Sequence, residues 1–192
     1  MRIITGKRKG LKLNSNKNFD TRPTEDRIKE SVFNILGNVS DSLVLDLFAG
    51  TGNIGLEFLS RGAKEVYLVD NNKDAINVIN KNVEKINLPG CKIIKSDYIQ
   101  ALRDLSNIKF NYIYIDPPYQ EKNIYEASLK NIASNKNFKK ALVIVETDKN
   151  MKLDNLSLFK ILDQRTYRST VIYFLKEEEV ESNLSRELWS CN

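Results

Sequence analysis

Four consecutive residues, Asp116-Pro117-Pro118-Tyr119, follow the apolar run Tyr112-Ile113-Tyr114-Ile115. The run has the β-branched and aromatic types that strands favour, and two successive prolines, lacking N–H donors, cannot continue a ladder. The sequence therefore sends a carboxylate, a stiff turn and a ring out of the end of a core strand. Those groups suit an exocyclic amine on a nucleobase, which is a poor nucleophile because its lone pair is delocalised into the ring. A carboxylate from Asp116 and a backbone carbonyl from Pro117, each accepting one of the amine's two N–H groups, draw density back onto nitrogen. Pro118 restricts the conformation of Pro117, and Tyr119 offers a face for stacking, worth ~1–3 kcal/mol per base. The plainer reading is a bare structural turn.

A second candidate lies upstream. The stretch GTGNIG, residues 50–55, fits the G-x-G-x-x-G pattern, and Asp70 falls twenty residues after Gly50, where a ribose-binding acid is expected. Alone, this pattern fits an NAD-dependent enzyme, or merely a tight strand-to-helix turn. Asp46, four residues before Gly50, shifts the balance. A carboxylate facing the bound group repels a dinucleotide pyrophosphate but favours the ammonium and sulfonium of S-adenosylmethionine. Asp70 then accepts from the ribose hydroxyls, and Asp97 from the adenine amino group unless it is only the N-cap of the helix beginning YIQAL.

These residues need a frame. From Leu43 onward strand and helix patterns alternate, with strands expected at 43–48, 65–70, 91–97, 110–116 and 141–146 and the clearest helix at 73–88. Such alternation implies a parallel sheet with helices on both faces. Two further strands within 157–176 leave little room for a helix, so the sheet should finish antiparallel. Upstream, TEDRIKESVFNILG (24–37) reads as a helix with Thr24 as N-cap and Gly37 as its stop. Residues 2–6 and 10–13 read as a short basic hairpin turning near Gly6 and Gly10. Asp46, Asp70, Asp97, Asp116 and Glu146 all fall at or just inside strand ends, the rim where ligands gather in such sheets.

Composition narrows the chemistry. Across 192 residues there is no histidine, which excludes Ser-His-Asp and Cys-His catalysis and His-ligated zinc. Cys91 and Cys191 are far apart and read as inert thiols. No apolar stretch is long enough to span a membrane and no leader is evident, so the cytoplasm is the expected location. Of the 30 basic residues six, Arg2, Lys7, Arg8, Lys9, Lys12 and Lys17, precede the first acid. A cationic start on a nearly neutral body suits nucleic acid, or is simply a solvated terminus.

LDLFAGTGNIGLE followed by DPPY resembles the class I S-adenosylmethionine-dependent amino-methyltransferases. Together with RIITGKRKGLKL, TRPTEDRIKESVFNIL and LDLFAGTGNIGLEFLSRGA, it is similar in order and spacing to the RsmD family, the guanine(966)-N2 methyltransferases of 16S ribosomal RNA. The likeness spans roughly residues 1–176. It implies a Rossmann-like, mostly parallel sheet with an antiparallel C-terminal strand, helices on both faces and a small basic N-terminal hairpin. It also implies Asp46, Phe48, Gly50, Gly52, Asp70 and Asp97 around S-adenosylmethionine (product S-adenosylhomocysteine), with no metal. Asp116, Pro117, Pro118 and Tyr119 would surround the amine. Arg22 and Thr24 would border the same cleft; by charge rather than by likeness, Arg2, Lys7, Arg8 and Lys9 of the cationic start are expected to face RNA. The partner implied is ribosomal RNA, in the small subunit or an assembly intermediate, met by a monomer with no membrane contact. The expected division is 1–20 hairpin extension, 21–176 methyltransferase domain and 177–192 charged tail. Where the family tends to carry Tyr-Gly-x-Thr, this chain has Tyr167-Arg168-Ser169-Thr170, so no role is assigned there. Rival readings are a DNA adenine or protein glutamine target, a dehydrogenase, and a catalytically silent RNA-binding protein.

Overall fold

The computed structural model of the chain describes residues 1–15, 23–118 and 121–177. Arg22, Tyr119, Cys191 and the tail from residue 178 lie outside the described residues, as does the side chain of Thr24. Seven strands form one sheet: β1 Leu43–Asp46, β2 Glu65–Asp70, β3 Cys91–Lys95, β4 Tyr112–Ile115, β5 Leu142–Asp148, β6 Phe159–Tyr167 and β7 Thr170–Glu177. Their order is β3-β2-β1-β4-β5-β7-β6. Strands β1 to β5 pair in parallel, and β7 is antiparallel to both β5 and β6.

The strands are apolar because both faces are covered. Period-two alternation sends Val44, Tyr114 and Ile144 into one core with α1 (Pro23–Leu36), α2 (Asn53–Ser60) and α3 (Lys73–Ile86). Leu45, Ile113, Ile115, Val143 and Val145 point the other way, toward α4 (Tyr98–Asp104) and α5 (Lys122–Ser134).

Differences from the expected boundaries have local causes. Helix α1 begins at Pro23 rather than after a Thr24 cap, because proline has φ preset for the first turn and no N–H to leave unpaired there. Gly37, at φ +67°, closes it by donating its N–H to the Phe33 carbonyl at 3.1 Å. Strand β5 runs on past Glu146 to Asp148 because β7 pairs with those residues, so Glu146 sits inside the ladder opposite Ile172. The N-terminal hairpin is present but shallow, with a single bridge between Arg2 and Lys12. Its turn is pressed against the end of α2: a Cβ on Gly6 would lie 2.0 Å from the Ser60 carbonyl oxygen.

Candidate active site

The order β3-β2-β1-β4-β5 reverses direction between β1 and β4, and a crevice opens at such a switch point beyond the strand ends. The glycine loop leaves β1 there and Asp116-Pro117-Pro118 leaves β4 beside it. Gly50 and Gly52 have φ +56° and +79°, conformations that let this loop double back into α2. The third glycine works differently. A Cβ on Gly55 would lie 2.2 Å from Leu68 Cδ2, so only glycine lets the first turn of α2 lie on the sheet.

Loop and strand ends are knitted by backbone amides. Ala49 donates to the Val69 carbonyl at 2.8 Å, and Gly50 donates to Asp70 Oδ2 at 2.8 Å. Asp70 Oδ1 accepts from the Asn72 N–H at 2.8 Å. Each oxygen of this half-buried carboxylate thus keeps acceptor capacity for a further donor. Asp97 is the N-cap of α4, its Oδ1 accepting from Ile99 and Gln100 at 3.0 and 3.1 Å. Its Oδ2 makes no hydrogen bond among the described residues. Phe48 is half-buried and its ring centroid lies 5.5 Å from that of Tyr98, walling the space between the β1 loop and α4.

Asp46 departs from the sequence reading. It is 2% exposed and does not face the open rim; Oδ2 accepts from the Gly55 N–H at 3.0 Å, beneath the loop. Burial pushes its carboxyl up to about 7, the negative charge of Asp70 adds to this, and the Gly55 bond opposes it. The tie forms because Gly55, having no side chain, brings its N–H against the sheet within reach of the buried strand-end acid.

On the acceptor side Asp116 is half-buried, Pro117 buried and Pro118 exposed. Tyr114 is level with Asp46 across the sheet, and its hydroxyl donates to Glu146 Oε2 at 2.5 Å. Its phenol is pushed well above its usual range, by burial first and then by Glu146, Asp116 and Asp46. Tyr125 donates to the Glu146 carbonyl at 3.0 Å. Sequence reasoning missed both tyrosines; alternation along β4 marks the face of Tyr114 but not the partner of its hydroxyl.

The basic residues divide. Arg2 is exposed and lies 3.4 Å from Asp26, and Lys7 and Lys9 are exposed. Arg2, Lys9, Asp26, Arg27 and Glu30 line a cleft of about 500 Å³ between the hairpin and α1. Arg8 is a correction. Its guanidinium donates to the Ile86 and Asn87 carbonyls at 2.7 and 3.0 Å, capping the end of α3 instead of facing outward. The hairpin turn also lies at the far end of the eight-residue α2 from Gly52, about 12 Å along its axis.

A buried carboxylate that sequence reasoning missed organises this region. Glu57 is 0% exposed and accepts from the Ile4 and Thr5 amides at 2.7 and 3.0 Å and from Arg61 at 2.8 Å. Lys29, itself 1% exposed, lies 3.2 Å away. The only local signal is a charge on the buried side of NIGLEFLS. Among the described residues no group of His, Cys, Asp or Glu is placed to hold a metal.

A family model described as conserved hypothetical protein 95 matches residues 1–176. Ribosomal RNA small subunit methyltransferase D of Haemophilus influenzae is 33% identical over 171 residues, covering 86% of this chain and 88% of that protein. The putative rRNA methyltransferase YlbH of Bacillus subtilis is 38% identical over 128 residues, 65% of this chain and 70% of that protein. Among solved structures, the putative methyltransferase yhhF from Escherichia coli superposes with a TM-score of 0.77 at 25% identity, over 93% of this chain and 98% of that one.

Proposed function

This chain belongs to the family described as conserved hypothetical protein 95, the RsmD family its motifs resemble, and from that premise we propose that it methylates the N2 amine of a guanine in 16S ribosomal RNA. It is a ribosomal RNA methyltransferase with a class I fold. The observation that carries the finer reading is the pairing of β1 with β4 at the switch point, which sets the glycine loop beside Asp116-Pro117-Pro118.

The methyl donor in this reading is S-adenosylmethionine, which when bound supplies a methyl group on a positively charged sulfur. The residues present fit it. Asp70 retains acceptor sites for the two ribose hydroxyls, Asp97 Oδ2 is available to an adenine amine, and Phe48 and Tyr98 offer ring surface between them. The open space at Gly50, where a Cβ would meet nothing within 4 Å, leaves room for close approach of a ligand to the backbone. Asp46 acts from beneath the loop, where a cationic ligand would favour its ionised form.

Across the crevice Asp116 and the Pro117 carbonyl accept from the target amine, fix its orientation and localise its lone pair toward the methyl group. The proton that the methylated nitrogen must lose leaves on the same side, toward Asp116. Acceptors already in position when charge develops need no reorganisation. The guanine has to leave its stack to reach them, at a cost of a few kcal/mol. Exposed Arg2, Lys7 and Lys9 attract the RNA backbone and offset that cost, over a footprint longer than the crevice itself. A dinucleotide reading accounts for Asp70 but not for the β4 turn.

Labelled methyl transfer to 16S ribosomal RNA, tested free and in small subunits, followed by nucleoside analysis, is expected to yield N2-methylguanosine. Methylated adenine, or saturable NAD binding without methyl transfer, would sink this reading. Replacing Arg2, Lys7 and Lys9 together by Gln should flatten the slope of log affinity against log salt by about 2 if all three meet phosphates of single-stranded RNA. Arg8 is left intact because its guanidinium caps α3.

A further inference from the structure

Two buried side chains tie the glycine loop to the first fifteen residues of the chain. Asn82, on α3 and 0% exposed, donates from Nδ2 to the Thr51 carbonyl at 2.9 Å and to the Asn14 carbonyl at 3.1 Å. Its Oδ1 accepts from the Asn14 N–H at 2.7 Å. Lys29, on α1, donates from Nζ to the Arg2 carbonyl at 2.6 Å and to Asn53 Oδ1 at 2.7 Å. Thr51 and Asn53 are the two neighbours of Gly52. Thr51 also donates its hydroxyl to Met1 Sδ at 3.3 Å. Both ends of the hairpin are thus fastened to the two sides of one glycine in the donor loop, and farther along α2 Glu57 holds the Ile4 and Thr5 amides.

The sequence pattern by itself leaves the basic start and the donor site independent of each other. The buried ties remove that independence. If the hairpin shifts, Asn82 and Lys29 lose partners on one side while remaining out of water, and a buried polar group without a partner is costly. If the loop shifts, Asn82 loses the Thr51 carbonyl and Lys29 loses Asn53, leaving Lys29 with the Arg2 carbonyl and Glu57.

We propose that Asn82 and Lys29 are positioning residues that make the hairpin and the methyl-donor loop one unit, so that RNA on the hairpin and donor on the loop bind cooperatively. This rests on the methyltransferase reading above. RNA that immobilises the hairpin orders residues 51–53, and the donor then meets a loop whose ordering is already done. By linkage the donor must tighten RNA binding by the same factor.

Calorimetry of S-adenosylhomocysteine with the full chain, alone and saturated with a single-stranded oligoribonucleotide, tests this. RNA is expected to tighten S-adenosylhomocysteine binding about fivefold or more, the lower end of measured couplings. Amide exchange at residues 50–53 should slow when RNA alone is bound. Asn82→Ala and Lys29→Met should lose the tightening, and Lys29→Arg should regain part of it. Equal affinity with and without RNA in the parent chain, with exchange at 50–53 unchanged, overturns the coupling and leaves the methyltransferase reading standing. Variants that lose thermal stability yet keep the full coupling show Asn82 and Lys29 to be structural only, which also overturns it. A parent chain that binds no S-adenosylhomocysteine at all overturns the donor assignment and the coupling with it.

Discussion

The two halves of the sheet are built differently around the crevice. On the β3-β2-β1 side, Asp46, Asp70 and Asp97 each take at least one backbone amide from the loop or helix that follows a strand. On the β4-β5-β7-β6 side, Glu146 is held by the Tyr114 hydroxyl, and the sheet ends in β6, an edge strand with Ile161 and Leu162 exposed beside a register shift. The donor half is organised by backbone donors whose spacing is fixed by chain geometry. Beside Asp116 the acceptor half relies on tyrosine hydroxyls, Tyr114 of β4 and Tyr125 of α5, that reach Glu146. At the outer end of β5 an acid, Asp148, does take an amide, that of Asn150. A donor half tied through backbone amides and an acceptor half tied through tyrosine hydroxyls should therefore fail in different ways when mutated.

The largest expected effect separates them outright. Asp116→Asn keeps the shape of the β4 turn but turns one acceptor partly into a donor. Methyl transfer should fall about a hundredfold or more, the scale on which loss of one charge-stabilising contact acts. Affinity for S-adenosylhomocysteine, measured by calorimetry, should stay close to the parent value. A variant that retains most of its transfer rate would remove Asp116 from the chemistry.

The same contrast explains what could be read from the sequence. Strand β2 at 65–70, the glycine loop and the β4 turn were legible because chemistry and period act on neighbouring residues. Glu57 was not, because its partners Lys29, Ile4 and Thr5 lie 28 to 53 residues away. Charge alone marks Arg8 as an RNA contact, because composition does not report its bonds to Ile86 and Asn87, which span 78 and 79 residues. Asp46 ends β1, as its place before the glycine loop implies, but its burial beneath that loop is not legible in the sequence. Period fixes the face of a side chain, but the amide it meets is set by how closely Gly55 lets α2 approach.

A smaller effect probes the donor half through pH. The Asp46 carboxyl is raised from 3.8 to about 7 in the folded chain. Between those values the native state holds a proton that the unfolded chain has released, so stability falls as pH rises through the window. Asp46→Asn keeps an acceptor for the Gly55 N–H and cannot ionise. Its advantage over the parent in urea unfolding should therefore grow from about pH 4 to about pH 7, to on the order of a few kcal/mol. An advantage that stays constant across that range would mean the carboxyl titrates as an ordinary surface acid. Bound S-adenosylhomocysteine should shrink the advantage, since its ammonium favours the ionised form.

The smallest effect belongs to the far edge of the acceptor half. Tyr167 and Thr170 are the last pair of the β6–β7 ladder, so Arg168 and Ser169 make the turn, and Arg168 adopts φ +47°. A side chain in that left-handed region costs ~1–2 kcal/mol, which glycine avoids, while glycine gives back ~0.5–1 kcal/mol through the greater freedom of the unfolded chain. Arg168→Gly should therefore raise stability by about 1 kcal/mol or less, a rise of about 2–4 °C in Tm at most for a chain of this length. The turn does not depend on the arginine for its place: Ser169 accepts from the Lys149 N–H at 2.8 Å, and Tyr167 is hydrogen-bonded to Ser31 of α1. Relief at the turn should thus stop at β7 and leave the rate of methyl transfer unchanged. A changed rate with normal S-adenosylhomocysteine affinity would show that the acceptor half carries strain from its edge through β7 and β5 to Asp116.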